Sequence, residues 1–138
     1  MNAPNRSARL QRIAVLLATF VAAATSAHAE SPAQIRDGYA RLAGAPPQAT
    51  RGQQFFGSRH GSDWSCSSCH GSVPTVTGKH ASTGKAIQPL APAVNAERFS
   101  NPTKVEKWFR RNCNDVVGRE CTAAEKADVL AWLLTLKP

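Results

Sequence analysis

Apolar residues recur at helical spacing in four stretches of the chain, separated by small and polar residues. Ile35, Tyr39 and Leu42 share one face of a segment that opens at Ser31-Pro32 and stops at Gly44. Serine there is a cap, and proline suits the first helical position. A Pro-rich connection over 45–49 leads to a short second helix carrying Phe55 and Phe56, with Thr50 and Gln53 spaced as a capping box. Asn101-Pro102 opens a third helix. Counting from Val105, positions Trp108, Phe109 and Asn112 are the i+3, i+4 and i+7 members of one stripe. Thr122 and Glu125 form a second capping box, before a last helix whose Val129, Trp132, Leu133 and Leu136 follow the helical period. The pattern predicts an all-α domain of about four helices, with no repeat and no strand of any strength.

One region does not fit a compact helical domain. Residues 71–100 show no period, only Gly, Pro, Thr and Ser with isolated apolar positions. Irregular loops of that length are uncommon. Such a loop is acceptable if a large cofactor supplies the apolar surface that it wraps.

The N-terminus is read as a leader. Arg6, Arg9 and Arg12 precede an apolar run from Ile13 to Ala24, which ends at the small-x-small site Ala27-His28-Ala29. The run falls short of the roughly 20 residues needed to span a bilayer, so cleavage is expected rather than anchoring. Residues 1–29 are then a signal peptide and 30–138 one mature domain, exported to a periplasm where disulfides form. The leader takes three of the 17 basic residues and none of the nine acidic ones, leaving an excess of +5. That charge comes without the aromatic-interleaved basic patch of a nucleic-acid binder, and fits an acidic protein partner better.

All four cysteines lie in the mature part. Cys66-Ser67-Ser68-Cys69-His70 matches C-x-x-C-H, the attachment sequence of c-type haem. Two thiols add across the vinyl groups of one porphyrin edge, and the next residue offers imidazole to the iron. A thioredoxin-like dithiol would need a βαβ context, and a zinc site a second pair at similar spacing; neither is present. Cys66 and Cys69 are therefore expected as thioethers of one haem c, with His70 the proximal ligand.

Cys113 and Cys121 are left for each other. On a continuous helix they would sit about 12 Å apart, too far for a disulfide. The helix must end between them, and Gly118 can turn the chain in a left-handed conformation. Free thiols are the alternative, which an oxidising compartment disfavours.

The sixth position of the iron is the open question. The only methionine is Met1, which leaves with the leader, so Met/His ligation is excluded. His60, His80, a lysine, an asparagine or nothing remain. His60 lies just upstream of the attachment sequence, and His80 sits in a polar loop. Asn112 lies at the end of the third helix's apolar stripe, although an asparagine there can also cap the helix.

With CSSCH, TGKAIQPLAP, VEKWFRRNCNDVVGREC and EKADVLAWL in that order, the chain resembles the sphaeroides haem protein family. These are class I cytochromes c that bind oxygen and coordinate iron through His and Asn. The resemblance implies a class I cytochrome c-like fold wrapped around one covalent haem. It implies that Asn112, just before the first cysteine of a Cys113–Cys121 disulfide, ligates ferric iron and leaves on reduction. It also implies a dihaem cytochrome c and a membrane b-type cytochrome as partners, and oxygen or another diatomic gas as ligand.

Other positions carry weaker signals. Pro89-Leu90 stands where class I cytochromes use a proline carbonyl to accept the proximal histidine N–H; a loop turn explains it equally. Trp108 and Phe109 are candidates to line the distal pocket with Leu90 as a further cofactor contact, or are ordinary core. Trp64 and Trp132 read as packing. Lys104, Lys107 and Arg111 form a basic stripe, a solvated face or a steering surface for an acidic redox partner. The rivals to a gas-binding electron acceptor are a plain carrier closed by His80 and an oxygen- or nitric oxide-converting enzyme. No acid–base residue stands out for the enzyme; Arg110 and Asn114 are weakly placed.

Overall fold

The computed structural model describes residues 29–61 and 63–138; the expected leader lies outside them except for its last residue. Among the described residues there are five helices: α1 (Pro32–Ala43), α2 (Ala49–Gly57), α3 (Cys66–His70), α4 (Pro102–Val117) and α5 (Ala123–Leu133). A small hairpin, β1 (Gly78–Lys79) and β2 (Ala86–Ile87), interrupts the long loop, with Gly78 opposite Ile87 and Lys79 opposite Ala86. The expectation of no strand of any strength in an all-α fold stands beside this two-residue antiparallel pair. Pairs this short leave no alternation for a sequence to display.

Helix starts follow local chemistry. Ser31 accepts from the Gln34 amide while the Gln34 side chain returns to the Ser31 amide, and Thr122 and Glu125 do the same for α5. Asn101 caps α4 through Lys104. The expected Thr50/Gln53 box does not form. α2 starts two residues earlier with Gln48 at the cap, whose amide donates to buried Asp128 at 2.6 Å. A carboxylate from another helix thus satisfies an orphan donor that the local sequence leaves open.

α5 is the central element, packed between α1 and α2. It meets α2 very closely: a Cβ on Gly52 would stand 2.0 Å from the Asp128 carbonyl oxygen. Arg51 locks the crossing by gripping Asp128 through Nε and, at 2.9 Å, Nη2. On the other side, buried Lys126 binds Glu106 of α4 at 2.7 and 2.9 Å, and the Tyr39 hydroxyl donates to the same carboxylate at 2.7 Å. Burial raises the Tyr39 pKa, and hydrogen bonding to Glu106 adds to this.

Two apolar clusters result. Phe56, Val129, Trp132 and Leu133 form the first, with Leu136 packed beside them; Ile35, Val105 and Leu130 form the second. Phe99 and Phe109 touch both. Leu42, expected on the buried face of α1, is 78% exposed. It lies in the last turn of α1, close to the C-terminal cap Gly44.

Candidate haem site

The attachment sequence forms one helical turn against the first cluster. Ser65 starts it: its amide donates to Ser68 Oγ at 3.0 Å, and its buried hydroxyl meets those of Ser67 and Ser68. Gly71 ends it at φ 78°. Cys66 packs on the cluster of Phe56 and Trp132, as do Leu90 and Phe109, so three of the expected cofactor contacts share one apolar surface. The Phe56 ring lies 6.1 Å from that of His70 and 4.9 Å from that of Trp132.

Burial dominates the electrostatics here. It pushes the Cys66 thiol up to about 11, with a smaller push from Cys69. It depresses His70 to about 4, with the Arg98 charge adding to the effect. A neutral imidazole is the form that ligates a metal.

The hairpin closes over this turn. A Cβ at Gly78 would fall 2.3 Å from the Cys69 carbonyl oxygen and 3.1 Å from the His70 Cα, so the strand backbone lies directly on the attachment turn. At the hairpin tip the Ala81 amide reaches Cys69 Sγ at 3.3 Å. His80, next to it, is exposed, and its Nδ1 accepts from the Thr83 amide at 3.3 Å. His60 is tied to its own segment, with Nε2 2.8 Å from the Phe55 carbonyl and its ring 4.3 Å from that of Phe55.

The Pro89 carbonyl accepts from Arg98 Nε at 2.8 Å and from Asn95 Nδ2 at 3.4 Å. Arg98, which the sequence did not single out, also donates to the Gln88 carbonyl at 2.7 Å. Only the tertiary approach of residue 98 to residues 88 and 89 reveals it.

On α4 the buried stripe is rotated from expectation. Val105 and Cys113 are buried and Phe109 half-buried, while Trp108 is 47% exposed and Asn112 exposed. Two constraints turn the helix: Glu106 reaches in to Lys126, and Cys113 is drawn to Cys121 in a disulfide with a Cα–Cα distance of 5.6 Å. α4 ends at Gly118 (φ 74°), which returns the chain so that the two buried cysteines meet. Trp108 and Asn112 stand one turn apart on the border of that stripe. Arg111 lies over the Trp108 ring at 5.6 Å and faces Asp115 at 3.9 Å, while Lys104 and Lys107 are exposed. Asn112 is not the helix cap; that position belongs to Gly118. Trp64, beside the attachment turn, is 43% exposed, whereas Trp132 is core.

These residues fit a haem. Cys66 and Cys69 are free of disulfides. Among the described residues, no three His, Cys, Asp or Glu side chains converge as a metal-holding group. A tetrahedral zinc site needs such convergence; thiols bonding a porphyrin edge while imidazole faces the iron do not. Of the large exposed apolar residues, Trp64, Val73 and Val76 flank the attachment turn in sequence, Val94 lies in the long loop, Trp108 on α4 and Leu42 on α1.

Residues 42–133 match a family described as a domain of unknown function, DUF1924. The chain is 46% identical over 123 residues to the cytochrome c-type protein SHP of Cereibacter sphaeroides, spanning 86% of this chain and 95% of that protein. The solved structure of oxidized SHP, described as an oxygen-binding cytochrome c, superposes with a TM-score of 0.73 at 49% identity. The match covers 77% of this chain and 97% of that one. The solution structure of cytochrome c'' from Methylophilus methylotrophus, described as giving insight into haem-ligand detachment, superposes with a TM-score of 0.69 at 37% identity. It covers 78% and 94% of the two chains.

Proposed function

The chain belongs to the SHP-like family of c-type cytochromes, and from that membership we propose that its iron has a permanent ligand, His70, and a releasable one, Asn112. It is a monohaem cytochrome c of all-α fold. When bound, the haem supplies a one-electron couple and an iron position that can exchange a protein ligand for a small gas. Cys66 and Cys69 hold the group covalently at one edge, and His70, kept neutral by burial, presents its imidazole. Asn112 would offer a neutral carboxamide, a weak donor to iron. That weakness would leave its place exchangeable with oxygen or another diatomic gas. The Cys113–Cys121 bridge, next to Asn112, would brace the helix end that carries this amide. Trp108, one turn earlier, borders the same pocket, with Phe109 and Leu90 as apolar lining.

The observation that carries this reading is the position of Asn112: on the border of the buried face of α4, beside Trp108 and one residue before a buried disulfide. Supporting it, SHP is described as oxygen-binding and cytochrome c'' as a protein whose haem ligand detaches. His80, engaged with Thr83 at an exposed hairpin tip, is the poorer sixth ligand. In the same proposal, residues 1–29 are a cleaved leader and 30–138 the periplasmic domain. Electrons arrive from a dihaem cytochrome c, with a membrane b-type cytochrome as the further partner.

The test is carbon monoxide added to reduced protein, together with the ferric spectra of Asn112→Ala and His80→Ala. Carbon monoxide should bind, Asn112→Ala should change the ferric spectrum and His80→Ala should leave it intact. Failure of the reduced protein to bind carbon monoxide, or a ferric change on His80→Ala alone, would overturn the assignment.

A further inference from the structure

Helix α1 carries a glycine that neither its backbone nor its packing requires. Gly38 sits mid-helix without a positive φ, and a Cβ there would meet only Arg41 Nη2 at 3.8 Å, an ordinary contact. Glycine weakens a helix interior, so what it contributes here is the space it leaves. It lies one turn from both Ile35 and Leu42, on the side of α1 that faces α4. The two helices touch at Tyr39, whose ring meets Phe109 edge-on at 5.8 Å and whose hydroxyl donates to Glu106 at 2.7 Å. Beyond those contacts lie two adjoining hollows of about 510 and 550 Å³, which share Pro102 and Glu106. Leu42, 78% exposed, stands on the α1 wall of this groove.

The groove is basic as well as apolar. Its charged lining consists of Glu30, Arg41, Glu106, Lys107 and Arg110. Glu106 is already bound by Lys126 and by the Tyr39 hydroxyl. That leaves the three cations against Glu30 alone, and none of the three forms an ion pair with another described residue.

We propose that the groove between α1 and α4 is a docking surface for an acidic amphipathic helix of a partner protein. The incoming helix lays an apolar ridge against Gly38 and Leu42 and turns carboxylates toward Arg41, Lys107 and Arg110. Ridge-into-groove packing brings helix axes close where the contacting side chains are small, which is the service of a glycine at this position. The cationic rim selects the charge of the partner. It attracts carboxylates and disfavours a second copy of this chain, which would bring the same cations together. A hollow between two helices also fits a rod about 10–12 Å wide better than a flat bilayer, and helix-in-groove recognition works this way. The groove lies over the cluster of Ile35, Val105 and Leu130, whereas Cys66 packs on the other cluster, and the proposal does not rest on the haem reading.

The experiment titrates isotope-labelled, haem-loaded protein with a synthetic helical peptide and follows amide chemical shifts. The peptide carries leucines at i, i+3 and i+4, glutamates on the flanks and alanines elsewhere; a counterpart has lysines for glutamates. The acidic peptide should move the amides of Gly38, Arg41, Leu42, Lys107 and Arg110, and the lysine peptide none of them. Gly38→Leu fills the groove and favours the helix, so it should melt no lower than wild type yet bind the acidic peptide about tenfold more weakly. Arg110→Glu should weaken binding by a similar factor. No binding, shifts that map elsewhere, equal affinity for the two peptides, or undiminished binding by either variant would overturn the proposal. So would capture of the protein by phosphatidylglycerol vesicles without peptide binding, which would make this face a membrane contact.

Discussion

Removing the disulfide with Cys113→Ala and Cys121→Ala tests the brace and the ligand together. Both cysteines are buried and lie eight positions apart. In the chain-entropy treatment, a loop this short constrains the unfolded chain by about 2.5 kcal/mol. At about 4–8 °C per kcal/mol for a domain near this size, the melting point should fall by roughly 10–20 °C. The effect on Asn112 follows from what else holds α4 to α5. The Glu106–Lys126 pair remains, but Glu106 lies two turns before Cys113, about 10 Å along the axis. The end that carries Asn112 then has no covalent tether. The ferric spectrum should lose the signature of a bound amide, and the reduced protein should take up carbon monoxide faster. Haem-loaded wild type and variant, followed by far-ultraviolet circular dichroism during heating and by visible absorption, give both numbers. A variant that melts within about 3 °C of wild type and keeps the same ferric spectrum would refute the idea that the bridge positions the ligand.

Gly52→Ala would place a Cβ 2.0 Å from the Asp128 carbonyl oxygen, a backbone atom that moves only with α5. The cost should be about 3 kcal/mol, the upper part of the usual overpacking range, read as a lowered urea midpoint; an unchanged midpoint would mean the helices can part freely. Burial pushes the Glu106 carboxyl up, but hydrogen bonds from Lys126 and Tyr39 more than offset this and hold it below its ordinary value. Its contribution to stability is therefore present above the unfolded pKa of about 4.3 and is lost as pH falls through the lower folded value. Glu106→Gln should be less stable than wild type at pH 7 and should approach it near pH 3; parallel urea-midpoint curves across that range would count against the network.

The local sequence was enough wherever an interaction spans few residues. The serine cap at Ser31, the threonine box at Thr122, the helix stop at Gly44, the αL turn at Gly118 and the C-x-x-C-H turn all read correctly, because each is settled within about five residues. The Thr50 box did not form, because Asp128, remote in sequence, supplies the Gln48 amide with a better acceptor. Leu42 fits the period of α1 but is exposed, since periodicity gives the face of a helix and not how far its neighbours extend along it.

Chemistry tied to residue type was set before folding: two thiols and an imidazole in one turn, a single methionine, Met1, at the very start, two further cysteines with a glycine between them. What folding alone decided is how far each side chain is turned. The rotation of α4 that buries Cys113 and leaves Trp108 and Asn112 on the border comes from two anchors, one on Cys121 and one on Lys126. The place of Arg98 on the 88–89 carbonyls comes from the approach of two loop segments. Such relations join segments that no local window contains, and a helix can satisfy its own backbone at any rotation, so only its partners can fix which face looks inward.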